Sequence, residues 1–211
     1  MSGLGLSSAL SFTGEHEIFR EQARRFFDSE CAPHQEAWAE AGIAPRAIWR
    51  RAGELGFLCP RVAPEFGGTG ADFLYSVILL EEQARAGVIA PVLSLHNDVV
   101  APYIEWYGSA AQKAQVLPRM ASGECIGAIA MTEPGGGSDL QAIKTTARRE
   151  GDDYVLRGQK TFITNGHCAD VIVVAAKTDP SAAARGVSLF LLETKDAKGF
   201  ARGRFLDKLG Q

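Results

Sequence analysis

The hydrophobic period of this chain changes once, near Gly127, and that change limits the folds open to it. Before it, apolar residues recur at three- and four-residue spacing. Phe19, Ala23, Phe26 and Phe27 share one helical face, which Pro33 ends. Pro45 opens a second helix with Ile48, Trp49, Ala52 and Leu55 on one face and Gly56 at its end. A third helix is expected through Phe73 to Gly87 and a fourth over roughly Pro91 to Tyr107. Ser109 with Gln112 reads as a capping box for a fifth, short helix, which Pro118 limits.

After Gly127 the runs are short and β-rich: Tyr154 to Leu156, Thr161 to Ile163, Val171 to Ala176 and Val187 to Leu192. Gly151-Asp152-Asp153, Arg157-Gly158 and Asn165-Gly166 punctuate them as turns. The pattern predicts an antiparallel meander rather than alternating β-α-β units. The fold class is therefore α+β: a helical domain over residues 1–127, then an antiparallel β-sheet or barrel domain over residues 128–211.

Composition narrows the class of function. With 22% charged residues and a net charge of -3, the chain has no broad basic excess for nucleic acid. No apolar run approaches the roughly 18 residues of a membrane span. Cys31, Cys59, Cys125 and Cys168 lie far apart and form no Cys-x-x-Cys pair, so neither a zinc site nor a disulfide framework is indicated. The first residues, MSGLGLSSALSF, lack the charged start of a signal peptide and the arginines of a transit peptide. A cytoplasmic protein with reduced thiols is expected.

The stretch AIAMTEPGGGSDL, Ala128 to Leu140, sets three glycines after a Thr-Glu-Pro turn. It is no P-loop, because no Gly-Lys-Ser/Thr follows. Nor is it a dinucleotide fingerprint: Gly135-x-Gly137 requires a glycine where Leu140 stands, and the next segment reads as strand. A plain turn between the two halves is the bland alternative. Functionally, residues without Cβ let amide N–H groups converge on a phosphate or ring edge, with the Ser138 and Thr132 hydroxyls beside them. A second segment, KTFITNG, offers the flat face of Phe162 and the N–H and hydroxyl of Thr164. Alone it reads as a hairpin with an Asn-Gly turn and a core phenylalanine.

Together, AMTEPGGGSDLQAIKTTA and YVLRGQKTFITNG resemble the flavin-contacting region of the acyl-CoA dehydrogenases, the long-chain members above all. EHEIFREQARRFFDSECAPH, PEFGGTG, LLEEQARAG, SLHNDVVAPYI, WYGSAAQKAQVLPRMASGE, VSLFLLE and GFARGRFLDKLGQ fall in the order the family shows, so the resemblance covers nearly the whole chain. It implies a helical domain, a central β domain and a further C-terminal helical domain, with FAD between the last two. Carried over by position, Ile129, Ala130, Met131, Thr132, Gly137 and Ser138 border the flavin. Thr132 is implied at the pyrimidine edge and Ser138 at the phosphate and CoA side. Phe162, Ile163 and Thr164 match the family's Trp-Ile-Thr, with Thr164 near flavin N5. Leu95 to Val100, with Leu95 and Val99 foremost, fall near the acyl-chain cavity.

The implied reaction is α,β-dehydrogenation of a fatty acyl-CoA thioester to a 2-enoyl-CoA, as in β-oxidation, with electrons passing to an electron-transferring flavoprotein. The family's glutamate base lies beyond Gln211, and so does most of its tetramer interface. No glutamate here matches the base: Glu133 belongs to the turn, and Glu81 and Glu82 read as the polar side of a helix. The chain alone is thus expected to lack dehydrogenase activity and to expose a sheet edge and apolar helical surface that need a partner. A non-catalytic binding subunit of the same fold and a flavin-dependent acyl-CoA oxidase remain open alternatives. His96 reads as structural, Trp106-Tyr107 as core or interface packing, Arg148 to Glu150 as a solvated approach to a turn, and Asp139 as a residue that fixes its loop through local N–H groups.

Overall fold

The computed structural model describes residues 11–136 and 139–206. Helix α1, Gly14–Phe26, starts at a capping box: Thr13 accepts from the His16 N–H, and His16 Nδ1 accepts from the Thr13 N–H at 3.0 Å. A wider π-turn, Phe27–Cys31, carries the chain to Pro33, where the α-helical run stops as expected. Helix α2, Gln35–Ala41, ends at Gly42, whose φ of 70° only glycine adopts freely. Helix α3, Arg46–Glu54, buries Ile48, Trp49 and Ala52. Helix α4, Phe73–Arg85, is capped by Asp72, which accepts from the Leu74 N–H. A π-turn, Leu95–Val100, leads into α5, Ala101–Tyr107.

Pro118 does not end the next helix. Helix α6 runs Ala110–Ala121 from the Ser109–Gln112 capping box, with Pro118 inside it. A proline there removes one backbone hydrogen bond. Burial of Val116, Leu117, Met120 and Ala121 against α5 and the sheet outweighs that loss, so the helix goes on to the edge of its core. Among the described residues, no helix is long and apolar enough to cross a membrane.

Phe19, Phe26 and Phe57 meet edge to face, with ring centroids 5.2 and 5.4 Å apart, in the core between α1, α3 and α4. At the rim of this core sits Glu82. Its side chain is 2% exposed, not the solvated helix face that the sequence suggests. Arg24 grips it with two nitrogens at 2.8 and 2.9 Å, Arg85 donates at 2.7 Å and Arg20 at 3.3 Å. These bonds, Arg24's first, hold its carboxyl at about 2 against the upward pull of burial. Glu81 stays exposed and pairs with Arg20. Trp106 and Tyr107 are 66% and 74% exposed, which excludes a core role for them.

The sheet is mixed and open, not an antiparallel meander or a barrel. Strands β1 (Gly127–Ala130), β2 (Thr146–Glu150), β3 (Asp153–Arg157), β4 (Val171–Lys177) and β5 (Val187–Glu193) form it around β4. Along one edge of β4, β1 runs parallel beside Val171 to Val174 and β2 meets Lys177. On the other edge β5 pairs antiparallel along the full length of β4, and β3 pairs antiparallel with β2. After Ala130 the chain leaves the sheet partway along β4 and rejoins it at Thr146. Arg148 to Glu150 are the exposed, solvated approach to the turn at Gly151-Asp152, as expected, and they are also strand, with Arg148 and Arg149 in register with Val155 and Tyr154. Thr161 to Ile163 are not strand: Phe162 has φ 56°, which no strand accommodates.

One strained residue lies away from these elements. Ala183, exposed in the turn Pro180–Gly186, has φ 49° and ψ -123°, a region glycine favours. Ala183→Gly is expected to stabilise the fold by about 1 kcal/mol, since relief of strain exceeds the added chain entropy. Urea denaturation checks this, and a lower midpoint for the variant contradicts it.

Candidate functional site

The site grows from the point where β1 leaves the sheet. Gly127 starts β1 beneath the π-turn of residues 95–100. A Cβ there would lie 2.7 Å from Val100 Cγ1 and 2.9 Å from Met120 Cε, so only glycine lets the strand approach α6 and the π-turn. The Gly127 N–H donates to His96 Nδ1 at 3.1 Å, and His96 Nε2 lies 3.2 Å from the Met120 carbonyl oxygen, which fixes the Nε2–H tautomer. His96 is fully buried, and burial pushes its pKa down to about 4, so it sits neutral. It is the structural histidine expected, and it joins helices to sheet. The adjacent Asn97 accepts from the Cys59 N–H and donates to the Phe57 carbonyl, both at 2.8 Å.

Past Ala130 the chain is held by Glu133. This carboxylate is 7% exposed and accepts from the Lys144 N–H at 2.6 Å, the Thr145 N–H at 2.9 Å, the Thr145 hydroxyl, and Lys160 Nζ at 2.9 Å. Burial alone would raise its pKa. The bonds from Thr145, Lys144 and Lys160 outweigh that and hold it at about 2. Lys160 also donates to the Met131 carbonyl at 2.9 Å, and the Thr161 N–H donates to the Thr132 carbonyl at 3.0 Å. The segment of residues 131–133 is thereby tied to residues 160–161, which brings Thr132 and Phe162–Thr164 to the same border. Asp139 accepts from the Gln141 N–H at 3.0 Å and fixes its loop, as expected.

The second segment has its own anchor. Asp170 takes the Ile126 N–H at 2.8 Å and a two-nitrogen grip from Arg46, whose Nη2 also reaches the Cys168 carbonyl at 2.8 Å. Asn165, at φ 62°, accepts from the Cys168 and Ala169 N–H groups. With both ends fixed, Phe162 stands 67% exposed on a strained backbone, and neither the N–H nor the hydroxyl of Thr164 has a partner among the described residues. The Thr132 hydroxyl is likewise free among them.

Leu95, Val99 and Thr164 line one cavity of about 290 Å³, together with Phe73, Leu80, Val92, Ser94 and Asp98. Ile129 and Leu95 both pack, partly buried, against one hydrophobic cluster, and Ala130 and Ile163 share another. Of the residues singled out in the sequence, Gly137 and Ser138 lie outside the described residues. Sequence reasoning missed Lys160, Asp170 and Arg46, and gave Glu133 only a place in the turn. The partners of the Lys160, Asp170 and Arg46 side chains lie 27 or more residues away, and those of Glu133 11 to 27, where no local pattern links them.

An exposed aromatic face, two hydroxyls and a free N–H on one border suit a planar heterocycle with a polar edge, and the apolar cavity beside Thr164 suits a chain-like substituent. The comparisons with known proteins point the same way. Residues 13–124 match the family described as "Acyl-CoA dehydrogenase, N-terminal domain" and residues 128–211 match its "middle domain". The chain is 48% identical to the long-chain specific acyl-CoA dehydrogenase, mitochondrial, of Sus scrofa, over 94% of this chain and 46% of that protein. It superposes on the crystal structure of an acyl-CoA dehydrogenase from Geobacillus kaustophilus with TM-score 0.89 and 52% identity, covering 93% of this chain and 52% of that one. A glutaryl-CoA dehydrogenase from Mycobacterium smegmatis, in complex with FADH2, matches with TM-score 0.85 and 32% identity over 97% of this chain and 51% of its own. The chain thus spans about half the length of these relatives.

His96 gives a pH signature. Its folded pKa, about 4, lies below the ordinary 6.5, so between those values the unfolded chain binds more protons than the folded one. Its contribution is full above pH 6.5 and is lost as pH falls toward 4, by about 3 kcal/mol in all. Glu82 and Glu133, both held near 2, contribute their losses only at lower pH. His96→Gln can keep both hydrogen bonds, and is expected to flatten the dependence between pH 6.5 and 4.5 in denaturant titrations. An unchanged slope in the variant removes His96 as its source.

Proposed function

The chain belongs to the acyl-CoA dehydrogenase family, and from that premise we propose that it forms the flavin-facing part of an FAD-dependent acyl-CoA dehydrogenase acting on fatty acyl thioesters. The observation that carries this reading is the convergence of Thr132, Phe162 and Thr164 beside the cavity lined by Leu95 and Val99. FAD, when bound, supplies the acceptor for the hydrogen that leaves the substrate β-carbon.

The chain's own contribution is position. Lys160 and Glu133 hold residues 131–133 in register with residues 160–161, so Thr132 presents its hydroxyl to the polar edge of the ring system. Thr164 offers its N–H and hydroxyl at the inner edge, toward the acyl cavity. Phe162 covers a face and keeps water from it. Gly137 and Ser138 are assigned to the phosphate and CoA side on the family's pattern alone. Leu95 and Val99 receive the acyl chain. Glu133 and Glu82 are committed to four and three donor groups respectively, so neither serves as the base. The α-proton falls to the glutamate that the family carries in its other half.

An electron-transferring flavoprotein is the proposed electron acceptor, and homo-oligomers the proposed assembly. A reducing compartment such as the cytoplasm fits the four free thiols.

The test is flavin retention. The purified chain, mixed with FAD and desalted, is expected to keep flavin absorbance, and Thr164→Val to weaken the affinity by roughly tenfold, the equivalent of one or two hydrogen bonds. These residues alone are expected to form no 2-enoyl-CoA with an artificial electron acceptor, since the base belongs to the family's other half, and clear turnover by them contradicts that assignment. A protein that passes through desalting colourless overturns the proposed cofactor role of this border.

A further inference from the structure

One wall of the acyl cavity carries a group that a plain hydrocarbon cannot use. Phe73, Leu80, Val92, Leu95 and Val99 make it apolar, but Asp98 lines it too. Asp98 Oδ1 accepts from the hydroxyl of Ser76 at 2.6 Å. Ser76 is 1% exposed and Asp98 only partly buried, so the carboxylate is held from the protein side. Its other oxygen, Oδ2, has no partner among the described residues. No buried side-chain oxygen among them lacks one, so Oδ2 is not fully buried, and Asp98 is the carboxylate that lines the cavity.

Burial pushes the Asp98 pKa up. The Ser76 bond and the positive charge of Arg61 pull it down, but by less. An alkyl chain seated against Oδ2 would strip its water and return nothing, which is costly for a charged group. A hydroxyl on the chain would instead donate a charge-assisted hydrogen bond in a partly desolvated setting, where such bonds are strong.

We propose that Asp98 is a specificity-determining residue that selects acyl groups carrying a hydroxyl on the tail over the corresponding unsubstituted chains. This rests on the acyl-thioester reading of the cavity. Ser76 acts as its positioning residue, aiming one oxygen inward and leaving the other for the ligand.

The experiment is equilibrium binding to the full chain in the presence of FAD. The ligands are octanoyl-CoA and hydroxyoctanoyl-CoA isomers with the hydroxyl at successive carbons of the distal half. Wild-type protein is expected to bind one hydroxy isomer roughly tenfold more tightly than octanoyl-CoA. Asp98→Leu is expected to reverse that order. Asp98→Asn keeps the Ser76 bond and the side-chain shape, and is expected to cut the preference to roughly twofold or less, which covers the case in which the leucine variant fails to fold. Equal binding of plain and hydroxylated chains to the wild type overturns the role of Asp98 and leaves the acyl-CoA reading standing. A preference that survives in Asp98→Asn overturns it as well. Binding of neither ligand class overturns the acyl-CoA reading, and this inference with it.

Discussion

The buried pair of Glu133 and Lys160 is what the rest of the site depends on. Two opposite charges removed from water gain little by attraction alone, because desolvation costs several kcal/mol for each ion. This pair survives because its remaining valences are filled. Glu133 takes two backbone N–H groups and a hydroxyl besides the lysine, and Lys160 spends a second proton on the Met131 carbonyl. The bonds reach into three stretches of backbone: residues 131–133, 144–145 and 160. The carboxylate of Glu133 thereby ties these three stretches together and fixes residues 131–133 against residues 160–161.

A second junction sets the site against the helices. His96 spans the gap between the Gly127 N–H and the Met120 carbonyl, while Asp170 and Arg46 bind Ile126 and the 165–170 turn to α3. The first junction is fully buried with both ring nitrogens of His96 bonded, and the second is a two-nitrogen grip at the surface, which makes both specific in geometry. The helical part therefore does more than cover the sheet. It supplies the cavity wall through residues 92–99 and presses it against Thr164. An aliphatic wall and a hydrogen-bonding border meet at one side chain.

The helical part was largely legible in the sequence, because its signals are local. Ser109 and Gly56 mark helix ends by their own chemistry, and the buried faces of α1 and α3 follow the spacing of their apolar residues, whereas the short α2 went unread. The failures share a cause: long-range burial overrode local preference. Pro118 lies inside a helix because the residues on either side of it are core. Thr161 to Ile163 has strand-forming residues, yet the turn that displays Phe162 is fixed by Lys160 on one side and by Asn165 and Asp170 on the other. The polar strand β2 was invisible, since Arg148 to Glu150 pair with β3 and bury almost nothing. The parallel pairing of β1 with β4 was equally beyond reach, because no local signal reports the direction of a strand's neighbour. Thr132 and Thr164 were singled out by motif, but the ion pair that ties residues 131–133 to residues 160–161 was not.

Three carboxylates, each removed in part from water, show how structure separates support from recognition. Glu82 and Glu133 are nearly inaccessible, and both titrate well below the usual range, because cations and N–H groups more than replace the water they lost. A fourth or fifth donor would find nothing left to bind. Asp98 exposes more of its surface than either, yet its pKa moves the other way, because burial raises it and only the Ser76 hydroxyl and the Arg61 charge pull it back. The direction of the shift follows the balance between burial and partners. One hydroxyl and a neighbouring arginine do not make up for the hydration lost, so its ionised form stands to gain from any donor that arrives. A group that the fold has fully satisfied can only hold the fold. A group left short of partners at the wall of a cavity can distinguish between the molecules that enter it, and in this chain that group shares its cavity wall with Leu95 and Val99.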